Sequence, residues 1–333
     1  RKESSAASDV YKRQILHQSI LNNENFIPNG INLLISVSGG QDSMALMTLL
    51  DDIKEQHNWS INVWHGNHKW HNESEKFAKE LKDYCYQKKI IFFEDSADQI
   101  DISTEEKARK WRYEKLVEKA SEICATNKNQ NSLYIVTGHT STDNTETFLL
   151  NLARGSNFGG LSGIPSKRLL NKVYFLVRPL MIFSRNDTTA ICKKLKIPFW
   201  VDPTNSDLQL KRNLIRHKII HELEEIYPGC SNRISNFIEK IKNISQERSE
   251  LCELAIKSCS SDDGIRRTTL NGLGEQARAT ILYSLLSKKC KKQISSKNIY
   301  DLSKQILKKS SGKKCFSNEV EVIWNKNFLK IIP

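Results

Sequence analysis

The segment from Ile31 to Ser43 constrains the chain most. The run Ile-Asn-Leu-Leu-Ile-Ser-Val passes directly into Ser-Gly-Gly-Gln-Asp-Ser. A short run this apolar, stopped by glycines, predicts a strand buried on both faces, the kind found in parallel sheets. Met44, Leu46, Met47, Leu49 and Leu50 then recur at helical spacing. Strand, tight glycine turn and helix form the first half of a βαβ unit, and the alternation continues. Strands are predicted at 61–65 (INVWH), 90–94 (IIFFE), 133–139 (LYIVTGH) and 174–180 (YFLVRPL). Helices are predicted at 72–88, with Phe77, Leu81 and Tyr84 on one face, at 103–124, at 143–154 and at 184–195. Ser103-Thr104-Glu105-Glu106 resembles a capping box, and Ser184 with Asp187 caps the later helix. The expected fold class is therefore α/β, a parallel Rossmann-like sheet with helices on both faces.

The 333 residues suggest about two domains. A helix over 210–226 ends at Pro228-Gly229, which places the boundary there and gives a domain over 15–229. The rest, 230–333, is expected to be a mainly helical, basic accessory domain. Its helices are predicted at 231–259, 273–289 and 296–309, with two short strands, CFSNEVEVIW and NFLKII. Residues 1–14 lack an initiator Met and any apolar run, and are expected to be a non-native or disordered leader. Net charge is +13 and unevenly placed. Residues 208–333 carry 24 basic and 13 acidic side chains, and 276–333 carry 13 and 3. The front is expected to do chemistry and the back to hold a polyanion, although Lys-rich helices are also simply solvated faces. No stretch approaches a membrane span. Eight cysteines without a C-x-x-C pair read as reduced thiols in a cytoplasmic protein rather than a disulfide or zinc framework.

The loop Ser38-Gly39-Gly40-Gln41-Asp42-Ser43 sits at the carboxyl end of the first strand, where open α/β sheets bind ligands. Its small residues let backbone N–H groups approach an anion, helped by the following helix N-terminus. It lacks the Gly-Lys-Ser/Thr of a Walker A loop. It carries an acid instead, Asp42, a candidate Mg2+ ligand on bound phosphates. Asp143 and Glu146 stand three apart at a helix start and share a face, able to hold Mg2+ or an amine. Acids also favour helix N-termini for dipole reasons alone. Arg109 and Arg112 lie one turn apart, able to reach the same phosphates unless they form a solvent-facing charged turn. His65 and His68 have metal-pair spacing without an evident third ligand.

The Ser38–Ser43 loop resembles the pyrophosphatase loop (PP-loop) of the N-type ATP pyrophosphatases. Four further segments are similar to the tRNA(Ile)-lysidine synthetase family. Residues 138–165 match through His139, Asp143, Glu146, Thr147, Arg154, Gly155, Gly160 and Leu161. Residues 108–113 match A-R-x-x-R-Y. Residues 200–217 match through Trp200, Asp202, Asn205, Arg212, Asn213, Ile215, Arg216 and His217. His65-Gly66-Asn67-His68 keeps the family's histidine spacing but departs from it at Lys69-Trp70-His71. The resemblance runs over about 15–225 and weakens past 230.

The resemblance implies an adenine nucleotide α-hydrolase-like fold and an ATP-dependent ligase. It implies that the C2 oxygen of the wobble cytidine in CAU-anticodon tRNA(Ile) is adenylated, and that free L-lysine then displaces AMP. Asp42, Arg109, Asp143, Glu146 and Arg212 are implied as catalytic. Ser38, Gly39, Gly40, Gln41, Asp42, Ser43, His65, Arg112 and His139 are implied to bind ATP, with Mg2+ on Asp42. Arg216 is expected to shape the site or the tRNA groove. Which carboxylate handles lysine stays open, as does homodimerisation. A PP-loop tRNA thiolase is the nearest rival, disfavoured by the lack of paired cysteines. A non-catalytic RNA-binding module is the other, disfavoured by intact motifs.

Overall fold

A computed structural model of the chain describes residues 14–18, 26–69, 73–97, 104–126, 132–201, 207–290, 294–317 and 320–332. Six strands form the first sheet: β1 (Asn32–Ser36), β2 (Ser60–Asn67), β3 (Ile91–Ser96), β4 (Leu133–Thr137), β5 (Lys167–Leu170) and β6 (Tyr174–Val177). Their order is β3-β2-β1-β4-β6-β5. All neighbours pair parallel except β5, which runs antiparallel to β6 at the edge. That edge hairpin adds one antiparallel strand to the expected parallel sheet. Lys167-Arg168-Leu169-Leu170 lacks the apolar run of a doubly covered strand, which is why it does not read as one.

The helices are α1 (Gln41–His57), α2 (Ser74–Gln87), α3 (Glu105–Thr126), α4 (Ser141–Ala153) and α5 (Arg185–Lys194). Strand side chains alternate between two cores. Leu33, Ile35 and Val136 join one with Met44, Leu46, Leu81 and Ile191; Leu34, Ile135 and Leu176 join the other with Trp111, Leu116 and Ala120. Such two-sided burial is what the apolar runs require. The Ser103 capping position lies outside the described residues; Thr104 Oγ1 accepts from Lys107 N at 3.3 Å.

Three contiguous helical segments, Lys211–Leu214, Ile215–Ile220 (a π-helical stretch) and His221–Ile226, run as one element, α6. Helix α7 spans Cys230–Cys259. The two compact units of the chain divide between Lys242 and Asn243, inside α7 and beyond Pro228-Gly229. The reason is packing: Ile238 and Ile241, early in α7, cluster with Phe148 of α4.

The second unit has its own core, with Leu270, Leu282, Leu302, Val322 and Trp324 fully or almost fully buried. It contains α8 (Arg267–Asn271), α9 (Glu275–Ser287) and α10 (Ser296–Lys308). A five-stranded antiparallel sheet adds to the expected helices, with β7 (Ser260–Ser261), β8 (Gly264–Arg266), β9 (Gly312–Ser317), β10 (Val320–Trp324) and β11 (Phe328–Ile332) in the order β7-β8-β11-β10-β9. The expected single strand CFSNEVEVIW is thus a hairpin, β9 and β10. Among the described residues, no helix is long and apolar enough to cross a membrane. All eight cysteines are free.

Candidate active site

The chain leaves β1 for β2 on one side and returns to β4 on the other, so β1 and β4 flank a topological switch point. Ligands of open α/β sheets bind at the carboxyl ends of such strands. The Ser38–Ser43 loop leaves β1 there, and Gly138–Asp143 leaves β4 beside it. A Cβ on Gly138 would come within 3.1 Å of the Ser43 backbone, so the two loops touch.

The first loop is held by its own serines. Ser43 Oγ donates to Gly40 O at 2.9 Å and accepts from Ser38 N at 3.2 Å. Gly39 has φ +85°, and a Cβ there would sit 2.8 Å from the Trp200 ring, so glycine is required. Trp200 in turn donates its backbone N–H to Gly39 O at 3.0 Å, and its indole N–H donates to Glu80. Of the neighbouring matched residues, Asp202 and Asn205 lie outside the described residues, as do Trp70 and His71.

Asp42 is engaged by two groups that the sequence does not single out. Arg185 Nη1 lies 3.2 Å from its Oδ2, and the Thr188 hydroxyl donates to Oδ1. Burial pushes the Asp42 carboxyl up, with Arg185 opposing. Arg185 also accepts Gln41 Nε2 on its carbonyl at 3.1 Å. The Ser184 cap marks the start of that helix, which is the only sequence signal pointing near Arg185.

On the second loop, Thr140 and Asp143 form a capping box. Asp143 Oδ2 accepts from Thr140 N at 2.8 Å and Thr140 Oγ1 at 2.9 Å. Its Oδ1 faces Arg212 Nη2 at 3.5 Å and Arg216 Nη2 at 3.4 Å. Glu146, fully buried, accepts from Arg212 Nε at 2.7 Å and Arg216 Nε at 2.5 Å. Two acids and two arginines thus form a neutral quartet. The i, i+4 spacing of Arg212 and Arg216 across the start of the π-helical stretch presents both to Glu146. Burial would raise Asp143, but His139, the two arginines and the Thr140 N–H bring it below its ordinary value. Burial also holds His139 well below the usual histidine range, so at neutral pH it is uncharged. Arg212 and Arg216 are then the cations that keep Asp143 ionised. His139 Nδ1 shares a hydrogen bond with Thr137 Oγ1 at 3.0 Å.

Arg109 and Arg112 do not converge as their spacing suggests. Arg109 stacks over Tyr113 at 5.1 Å, whereas Arg112 Nη2 lies 3.2 Å from His68 Nε2. His65 is buried, with Nδ1 2.8 Å from Val37 O at the loop's entry. Among the described residues, no group of three or more His, Cys, Asp or Glu could hold a metal. Asp42 is the carboxylate within the Ser38–Ser43 loop, a donor that suits Mg2+ held by one carboxylate and bound phosphates.

Residues 5–223 match the PP-loop domain family. A tRNA(Ile)-lysidine synthase from Prochlorococcus marinus subsp. pastoris is 52% identical over 330 residues, covering 99% of this chain and 98% of the relative. The chain belongs to the tRNA(Ile)-lysidine synthase family. A second tRNA(Ile)-lysidine synthase, from another Prochlorococcus marinus strain, is 39% identical over 95% of both chains. A chloroplastic tRNA(Ile)-lysidine synthase from Pyropia yezoensis is 34% identical over 66% of this chain and 65% of its own. Among solved structures, the U34-tRNA thiolase NcsA from Methanococcus maripaludis superposes with a TM-score of 0.55 at 16% identity, covering 72% of this chain and 79% of that one. That likeness concerns the fold. Membership of the lysidine synthase family makes the chain an ATP-using, ligase-type enzyme acting on tRNA.

Proposed function

We propose that the chain joins free L-lysine to C2 of the wobble cytidine of CAU-anticodon tRNA(Ile) in two steps at one sheet edge. The adjacency of the Ser38–Ser43 loop and the Asp143–Glu146–Arg212–Arg216 quartet carries this reading. In the first step the cytidine C2 oxygen attacks the α-phosphate of ATP and pyrophosphate leaves. Loop N–H groups and the α1 N-terminus stabilise the departing charge, the term that usually dominates such transfers. Mg2+, when bound, would be held by Asp42 and would neutralise phosphate charge; Arg185 would then give up its pairing with Asp42. His65 and Arg112 line the adenosine side, at the end of β2.

In the second step the lysine ε-amine attacks C2 and AMP leaves. Asp143 is favoured over Glu146 as its partner. Both Glu146 oxygens are taken by short arginine contacts at 0% exposure, whereas Asp143 is 14% exposed and its Oδ1 has only long ones. An Asp143 held below its ordinary pKa is a good ammonium ligand and a weak base, so it orients lysine, and the ε-ammonium passes its proton to solvent before the neutral amine attacks C2. Arg212, the more exposed arginine at 25%, turns its Nη2 from Asp143 toward the α-phosphate once a cationic amine takes its place there. The basic second unit contacts the tRNA body, and the chain works in the cytoplasm, a reducing compartment that suits its eight free cysteines. Incubation with ATP, lysine and CAU-bearing tRNA should release AMP only when lysine is present and leave lysidine at the wobble position. Sulfur-dependent turnover would instead support a thiolase, and no turnover a binding module.

A further inference from the structure

Three guanidinium groups converge on one phenol without an acid to balance them. Arg109 and Arg168 stack over the Tyr113 ring at 5.1 and 4.9 Å, and Arg178 Nη2 approaches the Tyr113 hydroxyl at 3.5 Å. Arg178 is 1% exposed. Its Nη1 donates to Pro165 O at 2.5 Å, but its Nε, like that of Arg168, is buried with no partner. No carboxylate among the described residues pairs with any of the three. A nearly buried cation with an orphan donor beside two like charges is costly unless an anion joins it. The planar forks of three arginines suit phosphate oxygens. Tyr113 responds to the same field: burial would raise its pKa, yet Arg109, Arg178 and Arg168 together bring it down.

The position selects among phosphates. Arg178 directly follows β6, and Arg168 lies on β5, paired with β6. Along the sheet edge the phosphate loop follows β1, His139 follows β4, and Arg178 and Arg168 stand where β6 ends and the antiparallel β5 begins. Arg109 and Arg178 are close enough to His139 for their charges to depress it further. Two strand spacings, about 10 Å, separate the β6 end from the β1 loop. The triad therefore stands on the far side of the lysine carboxylate from the ATP phosphates, where the target nucleotide would enter. Resting on the reading given under Proposed function, we propose that Arg168 and Arg178, with Arg109, bind a backbone phosphodiester next to the reacting cytidine and so position that nucleotide. The same chemistry could instead grip a phosphate of ATP, and the two sources are separable.

The full-length chain and its Arg168→Gln and Arg178→Lys variants, each first compared with wild type by thermal unfolding, are titrated with a CAU anticodon stem-loop RNA over a range of KCl, and separately with Mg2+-ATP. Loss of one charge-assisted phosphate contact should weaken RNA binding about 10-fold in R168Q. It should lower the log–log salt slope by about 1. The ATP Kd should stay within about twofold, as tenfold requires about 1.4 kcal/mol. R178K, which keeps the charge but loses the fork, should weaken RNA while changing the slope little; should it unfold, R168Q decides alone. Unchanged RNA affinity in a folded R168Q, or weakened ATP binding with RNA unaffected, overturns the proposal. A wild-type chain that binds no RNA overturns both the proposal and the functional reading, whereas lysine-dependent AMP release with unaffected variants overturns the proposal alone.

Discussion

Arg216 donates its Nε to Glu146 at 2.5 Å inside the protein, and a second nitrogen of the same guanidinium reaches the other carboxylate oxygen at 3.1 Å. The pair ties α6 to α4. Burial works against the Arg216 charge, but the Glu146 hydrogen bond and charge outweigh it and raise its pKa.

Removing one member should cost far more than removing both. Glu146→Ala strands two arginine charges, and breaking a buried pair this way typically costs about 3–5 kcal/mol. Combining Glu146→Ala with Arg216→Met should recover part of that loss. Denaturant midpoints of the single and double variants test this, and additive losses would exclude coupling.

Asp143→Asn should separate the two chemical steps. The amide keeps an oxygen for the Thr140 cap but loses the charge that attracts ammonium. Pyrophosphate release on CAU tRNA should persist, whereas lysine transfer should fall by about 100-fold or more, given the usual worth of a charge-assisted contact in a closed site. Wild-type lysine transfer by D143N would sink the assignment.

Gly39→Ala should impair ATP binding with little damage to the fold. The position has φ +85° and a Trp200 ring atom at 2.8 Å from the added methyl. Strain of this kind runs to about 1–3 kcal/mol. Calorimetric titration should show an ATP Kd raised at least about fivefold, and Trp200→Leu in the same background should restore part of it.

Acid should erode stability through His139. Its folded pKa is depressed by burial, so the unfolded chain takes up the proton first as pH falls through the ordinary histidine value of about 6.5. The resulting stability is present above that value and is lost below it, by up to about 1.4 kcal/mol per pH unit. His65 and His57, also depressed by burial, act in the same direction. Urea midpoints at pH 7.5 and 5.5 should differ less for His139→Gln than for wild type, and equal differences would show that His139 titrates normally.

What the sequence makes legible is local. The Ser38–Ser43 loop, the Asp143–Glu146 pair and the Ser184 cap are each written in fewer than ten consecutive residues, and strand runs such as Leu133–Thr137 announce burial on both faces. Partnerships across the chain are not written there. Glu146 and Arg212 stand 66 residues apart, so each is implied as catalytic by itself until their ion pair is seen. Arg185 and Asp42 meet only because α5 packs beside α1. Helix 210–226 looks ordinary because no residue type marks a π-helical stretch. Arg168 hides in an edge strand whose composition follows one-sided burial.

The early part of α7 gives the candidate site a schedule. Ser141 donates its Oγ to Asn232 at 2.6 Å, Asn144 donates to Ser235 at 3.0 Å, and Phe148 leans on Ile238 and Ile241. A ribosome that has exposed the chain through Ile226 has delivered every residue assigned to ATP and lysine. Helix α4, which carries both carboxylates, still lacks its cover at that moment. Maturation of the site must wait for synthesis to pass Ile241, and a nascent chain paused before that point would show an apolar Phe148 to chaperones rather than a finished enzyme to tRNA.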